Sequence, residues 1–293
     1  MNFKTTCAVL GITAAAAFSS CGSSSTGDAA KTADTPGTAA NATAAKSETV
    51  QDEKIYPFML GGIYFFNGYG GPDRVFNQMI KPEVHKQPGE AGFVPELETA
   101  YVKYFVFPFK KEDDPGGAEA RATLKEWWDI KNKEELEKSL NWLLNEGHQE
   151  VYTAYHKALE ENGGNTADIG KIDLKKYALD KGKETTARLQ VVKDNYAAFS
   201  KAGIKAWDLA RYVNNICIAF QADYLSSDEA IVWLSKATPV ARQHYDNWDT
   251  YFKDFNLGRL FWTGGKKDGN DFNSVASAMQ QGDYSLYKYL AFK

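Results

Sequence analysis

Residues 204–224, IKAWDLARYVNNICIAFQADY, restrict the fold of this chain more than any other stretch. At about 100° per residue, Leu209, Val213, Ile216, Cys217 and Phe220 fall on one face of a helix. Trp207, Tyr212 and Ile218 carry apolar character round most of the remaining surface. A helix that is apolar nearly all round has to be buried. Its charged residues then cannot simply point to water. Asp208 and Arg211 are i, i+3 neighbours, with Asn215 one turn further on. Because a buried charge requires a partner, the spacing predicts an Asp208–Arg211 contact, shared with another helix. Such a pair either fixes helix register or floors a polar pocket.

The sequence on both sides of this helix predicts a mainly α fold. From Ala118 onward the chain reads helical almost throughout: Glu119–Trp128, Lys133–Asn145, His148–Glu161, a long charged segment from about Asp173 to Ser200 weakened at Gly182, and Trp248–Trp262. Asn132 with Glu135, and Ser226 with Glu229, have the spacing of N-terminal capping boxes. Pro239 predicts a kink or division within 228–245. Two short helices are expected after Gly264-Gly265. Residues 54–117 form an irregular amino-terminal lobe. Its opening, IYPFMLGGIYFFNGYGG, is aromatic and Gly-rich and fits either a strand pair or a loop-rich segment laid over helices. Residues 104–109 read as extended because Pro108 disfavours helix before it.

The first 53 residues have a different character. Lys4 precedes an uncharged stretch, Thr5–Phe18, which is shorter than the about 20 apolar residues of a membrane span. With small residues before a break, it reads as a secretory signal over residues 1–20. Phe18-Ser19-Ser20-Cys21-Gly22 resembles a lipobox of the kind found in Bacteroidota lipoproteins, which implies lipidation of Cys21 and attachment to a membrane through its acyl chains. Residues 22–53 are rich in Ala, Thr, Ser and Gly, with Val50 the one large aliphatic, and read as a disordered tether. Its r.m.s. reach is about 30 Å. Gly-Ser after Cys21, in place of an Asp, favours the outer membrane. Of the three cysteines, Cys7 leaves with the signal, Cys21 takes lipid, and Cys217 remains as a buried thiol with no disulfide partner. The net charge of −4 at pH 7 gives no footprint for nucleic acid.

Five segments carry a family resemblance when taken in order: Trp128-Asp129-Ile130, Leu143-Leu144-Asn145-Glu146-Gly147-His148, Trp207-Asp208-Leu209-Ala210-Arg211, Trp248-Asp249-Thr250-Tyr251 and Gly258-Arg259-Leu260-Phe261-Trp262. Together they resemble bacterial domain-of-unknown-function family 1266 over roughly residues 125–262. Asp129 stands where that family usually has Gly, and Gln149 where Arg often follows the His. The resemblance implies an α-helical domain and no particular activity.

The candidate catalytic residues are His148, Asp208, Arg211 and Arg259, and the candidate ligand-binding residues are Trp207, Trp248 and Trp262. His148 follows a glycine at a helix junction, where it either faces a cleft or caps a helix end. Arg259, amid Phe255, Phe261 and Trp262, suits stacking on an aromatic face, binding a carboxylate or sugar, or closing the carbonyls of its own helix. His156 is not at i, i+4 from His148, and His85 and His244 sit in polar surroundings. The sequence has no zinc pattern, P-loop, Gly-x-Ser-x-Gly or dinucleotide fingerprint, so no cofactor or metal is expected. Three readings follow. The first is a membrane-anchored lipoprotein, not an enzyme, whose helical domain binds an envelope protein or small ligand. The second is an envelope hydrolase using the four catalytic candidates. The third is a purely structural fold.

Overall fold

The structure, a computed structural model, describes residues 49–266 and 272–293. The signal, Cys21 and most of the tether lie outside the described residues. The helices are α1 (Tyr56–Leu60), α2 (Gly62–Gly68), α3 (Pro72–Arg74), α4 (Phe93–Phe105), α5 (Ala118–Trp128), α6 (Lys133–Asn145), α7 (Gly147–Glu160), α8 (Lys183–Asp194), α9 (Lys205–Gln221), α10 (Ser227–Ser235), α11 (Ala237–His244), α12 (Trp248–Trp262) and α13 (Phe272–Gln281). Short 3-10 turns and one π-helical turn, Val75–Ile80, join some of them. Among the described residues there is no strand, only an isolated bridge between Val50 and Leu290. The fold is mainly α, as the periodicity predicts.

Helix α9 is the axis of the molecule. Helices α1, α2, α5, α6, α7, α10, α11 and α12 all pack against it. From Lys205 to Ala219 only Arg211 and Asn214 are not buried. Cys217 is free and buried within it, and burial raises the thiol pKa.

Local signals set the boundaries. The Asn132 side chain accepts the Glu135 amide at 2.9 Å, while Glu135 reaches back to the Lys131 amide instead of closing the box on Asn132. Ser226 and Glu229 form the complete reciprocal box. Asn247 caps α12 through the Thr250 amide at 2.8 Å. Each such cap stabilises its helix by about 1 kcal/mol. Pro239 lies in the first turn of α11, and the chain divides at Lys236, where a missing proline N–H costs nothing. The charged segment 173–200 is less helical than expected. It holds a 3-10 turn at Leu174–Tyr177, then α8, then turns.

Residues 54–117 form helices in place of a strand pair, and α4 continues to Phe105, two residues into the segment expected to be extended. Their aromatic side chains enter the same core as the rest of the protein. Tyr251 donates to the Leu60 carbonyl at 2.9 Å, Tyr287 to that of Met59 at 2.7 Å, and Tyr101 to that of Tyr284 at 3.0 Å. Val50, counted with the tether on composition, is buried, and its backbone pairs with Tyr289 and Ala291.

Candidate functional site

The amino end of α7, the first half of α9 and the end of α12 meet around His148. Asp208, fully buried on α9, aims its carboxylate at the start of α7. Oδ1 accepts the His148 backbone N–H at 3.0 Å and lies 2.7 Å from Nδ1, while Oδ2 accepts the Gln149 N–H at 3.0 Å. Three donors, two of them otherwise orphaned at a helix start, compensate this buried charge. The approach depends on Gly147. It sits at φ +65°, and a Cβ there would lie 2.2 Å from Asp208 Oδ2. Gln149 ties the turn before α9 in the same way, its side-chain oxygen accepting the Ile204 N–H at 2.6 Å. Where the family often has Arg, this chain therefore has a neutral side chain with a structural duty.

Three indoles surround His148: Trp142, Trp207 and Trp262, with ring centroids at 4.7, 4.7 and 4.5 Å. Burial, and then the charge of Arg211, lower its pKa to about 4 and outweigh the opposing effect of Asp208. The ring is thus neutral at pH 7. The Asp208 bond holds the proton on Nδ1, leaving Nε2 as the lone pair.

Arg211 and Asp208 do not form the direct pair that their spacing predicts. The Asp208 carboxylate is turned toward α7, and the two residues are connected only through His148. Arg211 packs its Cζ 4.1 Å from the ring centroid of Trp128 and 4.1 Å from that of Trp207. Its terminal nitrogen is 3.2 and 3.1 Å from the two nitrogens of His148. That near-equality puts it against the face of the imidazole, not in line with one lone pair. No carboxylate forms an ion pair with Arg211 among the described residues, and burial lowers its pKa. One turn further along α9, Asn215 is fully buried with neither side-chain amide atom hydrogen-bonded. The polar stripe 208–211–215 therefore runs from fully to poorly compensated.

The other candidates divide. Trp207 and Trp262 belong to this cluster, and their rings are 5.6 Å apart. Trp248 does not. Its indole donates to the Leu290 carbonyl at 2.8 Å and packs with Tyr287 and Phe292 in the core. Arg259 stacks 3.7 Å over Phe272 and lines a groove between α12 and α13. Tyr64 links it to the cluster: burial raises the Tyr64 pKa, and the charges of Arg211 and Arg259 both oppose the rise. Gly258, beside Arg259, lets α12 approach α9, since a Cβ there would sit 2.7 Å from that of Trp207. His156 stacks on Tyr196, and His85 and His244 are exposed.

Sequence reasoning missed three members as site residues: Trp128, Trp142 and Arg188. Arg188, on α8, lies 4.4 Å over Trp262 and pairs with Glu184 at 2.5 Å. For Trp128 the signals available were its place at the head of the first motif segment and the adjacent Trp127; Trp142 and Arg188 had none.

Four of the five motif segments thus come together in space, and the family model for "Protein of unknown function (DUF1266)" matches residues 123–292, more than half the chain. The chain belongs to this family. The match extends beyond Trp262 through α13 to the last residues, taking in the carboxyl-terminal segment that pairs with Val50. Among curated proteins it is similar to two from Escherichia coli (strain K12). It is 24% identical to Uncharacterized protein YbeU over 166 residues, 55% of this chain and 63% of that protein. It is 23% identical to Uncharacterized protein YbeR over 142 residues, 48% of this chain and 57% of that protein. Each alignment spans less than two thirds of the relative's length. No solved structure matches.

Proposed function

We propose that this family member is a non-enzymatic lipoprotein of the cell envelope, anchored through Cys21, whose helical body binds a small ligand beside Arg211. One observation carries the binding reading. The structural duties of the motif residues are discharged without Arg211. Asp208 is compensated by α7, Gly147 makes room for it, Gly258 seats α12, and Gln149 fixes the turn before α9. Arg211 is left as a partly buried cation among half-buried indoles, with a neutral imidazole as its polar contact. Retaining such a charge is costly unless something of opposite sign meets it.

The anchor rests on the lipobox-like residues before Cys21 and the outer-membrane preference on the Gly-Ser that follows. Among the described residues, no helix is long and apolar enough to cross a membrane. Two measurements test the reading. Cys21→Ala should move the full-length protein from the membrane to the aqueous fraction; persistence at the membrane would remove the anchor. The small-molecule fraction of the envelope should raise the melting temperature of the wild type and not of Arg211→Lys. Equal shifts in both proteins, or none in either, would remove the binding reading.

The alternative of an envelope hydrolase built on His148, Asp208, Arg211 and Arg259 draws on the 2.7 Å His148–Asp208 bond, which leaves Nε2 as a base. A His pKa near 4 makes that base weak at neutral pH. Hydrolysis of envelope material that disappears in His148→Gln while binding persists would favour this alternative.

A further inference from the structure

We infer that the ligand at Arg211 is a small carboxylate carried on a flat, apolar body. This rests on the binding reading above and names the chemistry of its ligand. The Arg211 carbon Cζ lies 4.1 Å from the ring centroids of both Trp128 and Trp207 and one terminal nitrogen lies against His148, so the remaining edge of the guanidinium is the part left to bind. A guanidinium edge is a planar fork that matches a carboxylate through two parallel hydrogen bonds. Crowding by indoles requires whatever docks on that edge to be as flat as the guanidinium itself. A carboxylate is coplanar in such a pair. A phosphate is tetrahedral, and its out-of-plane oxygens would press into the indoles.

The sign of the site agrees with an anion. The one carboxylate of the cluster, Asp208, is consumed by two backbone N–H groups and His148 Nδ1, while His148 itself is neutral. Arg188, the second cation, stands beyond Trp262. The half-buried rings of Trp128, Trp142 and Trp262 supply the apolar surface on which a flat body packs.

Benzoate, benzamide and phenyl phosphate share a ring and differ at the head group. Titrated into the full-length protein and followed by calorimetry, benzoate should bind about tenfold more tightly than either of the others, the scale of a charge-assisted pair of hydrogen bonds. Arg211→Lys, which keeps the charge and loses the fork, should lose about that factor for benzoate. If that variant does not fold, Trp128→Leu replaces it, with the same loss expected. Equal binding of benzamide, equal or tighter binding of phenyl phosphate, or unchanged benzoate affinity in the variants would each overturn the carboxylate assignment. If the envelope fraction stabilises the wild type but benzoate does not bind, the carboxylate inference fails alone. If neither acts, the binding reading falls with it.

Discussion

Asp208 shows how one side chain organises the centre of this protein. Its buried carboxylate is compensated by the backbone of α7, and this requires a residue without a Cβ at position 147. Gly147→Ala would face both a left-handed backbone and the Asp208 oxygen, so we expect a loss of about 3 kcal/mol or more in urea unfolding. His148 gives a second prediction. Its pKa falls from 6.5 to about 4 on folding, so between those values the unfolded chain binds the extra proton. The contribution is fully present above about pH 6.5 and is lost progressively as pH falls to about 4, amounting to about 3 kcal/mol in all. His148→Gln should flatten that part of the stability–pH curve; an unchanged slope would assign it to other groups. The charges of Asp208 and Arg211 were legible in the sequence as a buried problem, but not its solution. Backbone N–H groups at the start of another helix leave no mark on residue type, save for the glycine that lets the carboxylate in.

At the scale of elements, the buried helix was the most legible feature because its apolar residues leave no face for water. Capping residues set the starts of α6, α10 and α12 where the sequence places them. Residues 56–68 were not legible. They are apolar on nearly every side, and a short run of that kind has no periodicity to separate strand from helix. Trp142 lies away from the leucine stripe of its helix, and Trp128 stands one turn past Leu124 at the end of its own; only the tertiary contacts with Arg211 of α9 and His148 of α7 give them a role. The α9–α12 contact also makes a prediction. Gly258→Ala would place a methyl group 2.7 Å from Trp207 Cβ and 3.0 Å from Ile204 Cβ, forcing the helices apart. We expect a loss of about 1–3 kcal/mol, read as a lower urea midpoint. Wild-type stability in that variant would mean that α12 is free to slide.

For the whole molecule, the division between a helical body and an amino-terminal lobe describes composition better than packing. Tyr251, Tyr287 and Tyr101 bind carbonyls of distant segments, and Val50 docks beside the last residues, so the core draws on both ends of the described chain. Such long-range bonds run through tyrosines that a sequence shows only as apolar residues. This core holds the indole and arginine cluster at the junction of α5, α6, α7, α9 and α12, and the central claim is that ligands bind there. The seven tryptophans give a direct test, because each indole N–H has its own resonance. On titration with the small-molecule fraction of the envelope, the indole signals of Trp128, Trp142, Trp207 and Trp262 should shift together. Those of Trp127, Trp233 and Trp248 should stay in place. Shifts centred on the second group, or no shift at all, would contradict a binding site at Arg211.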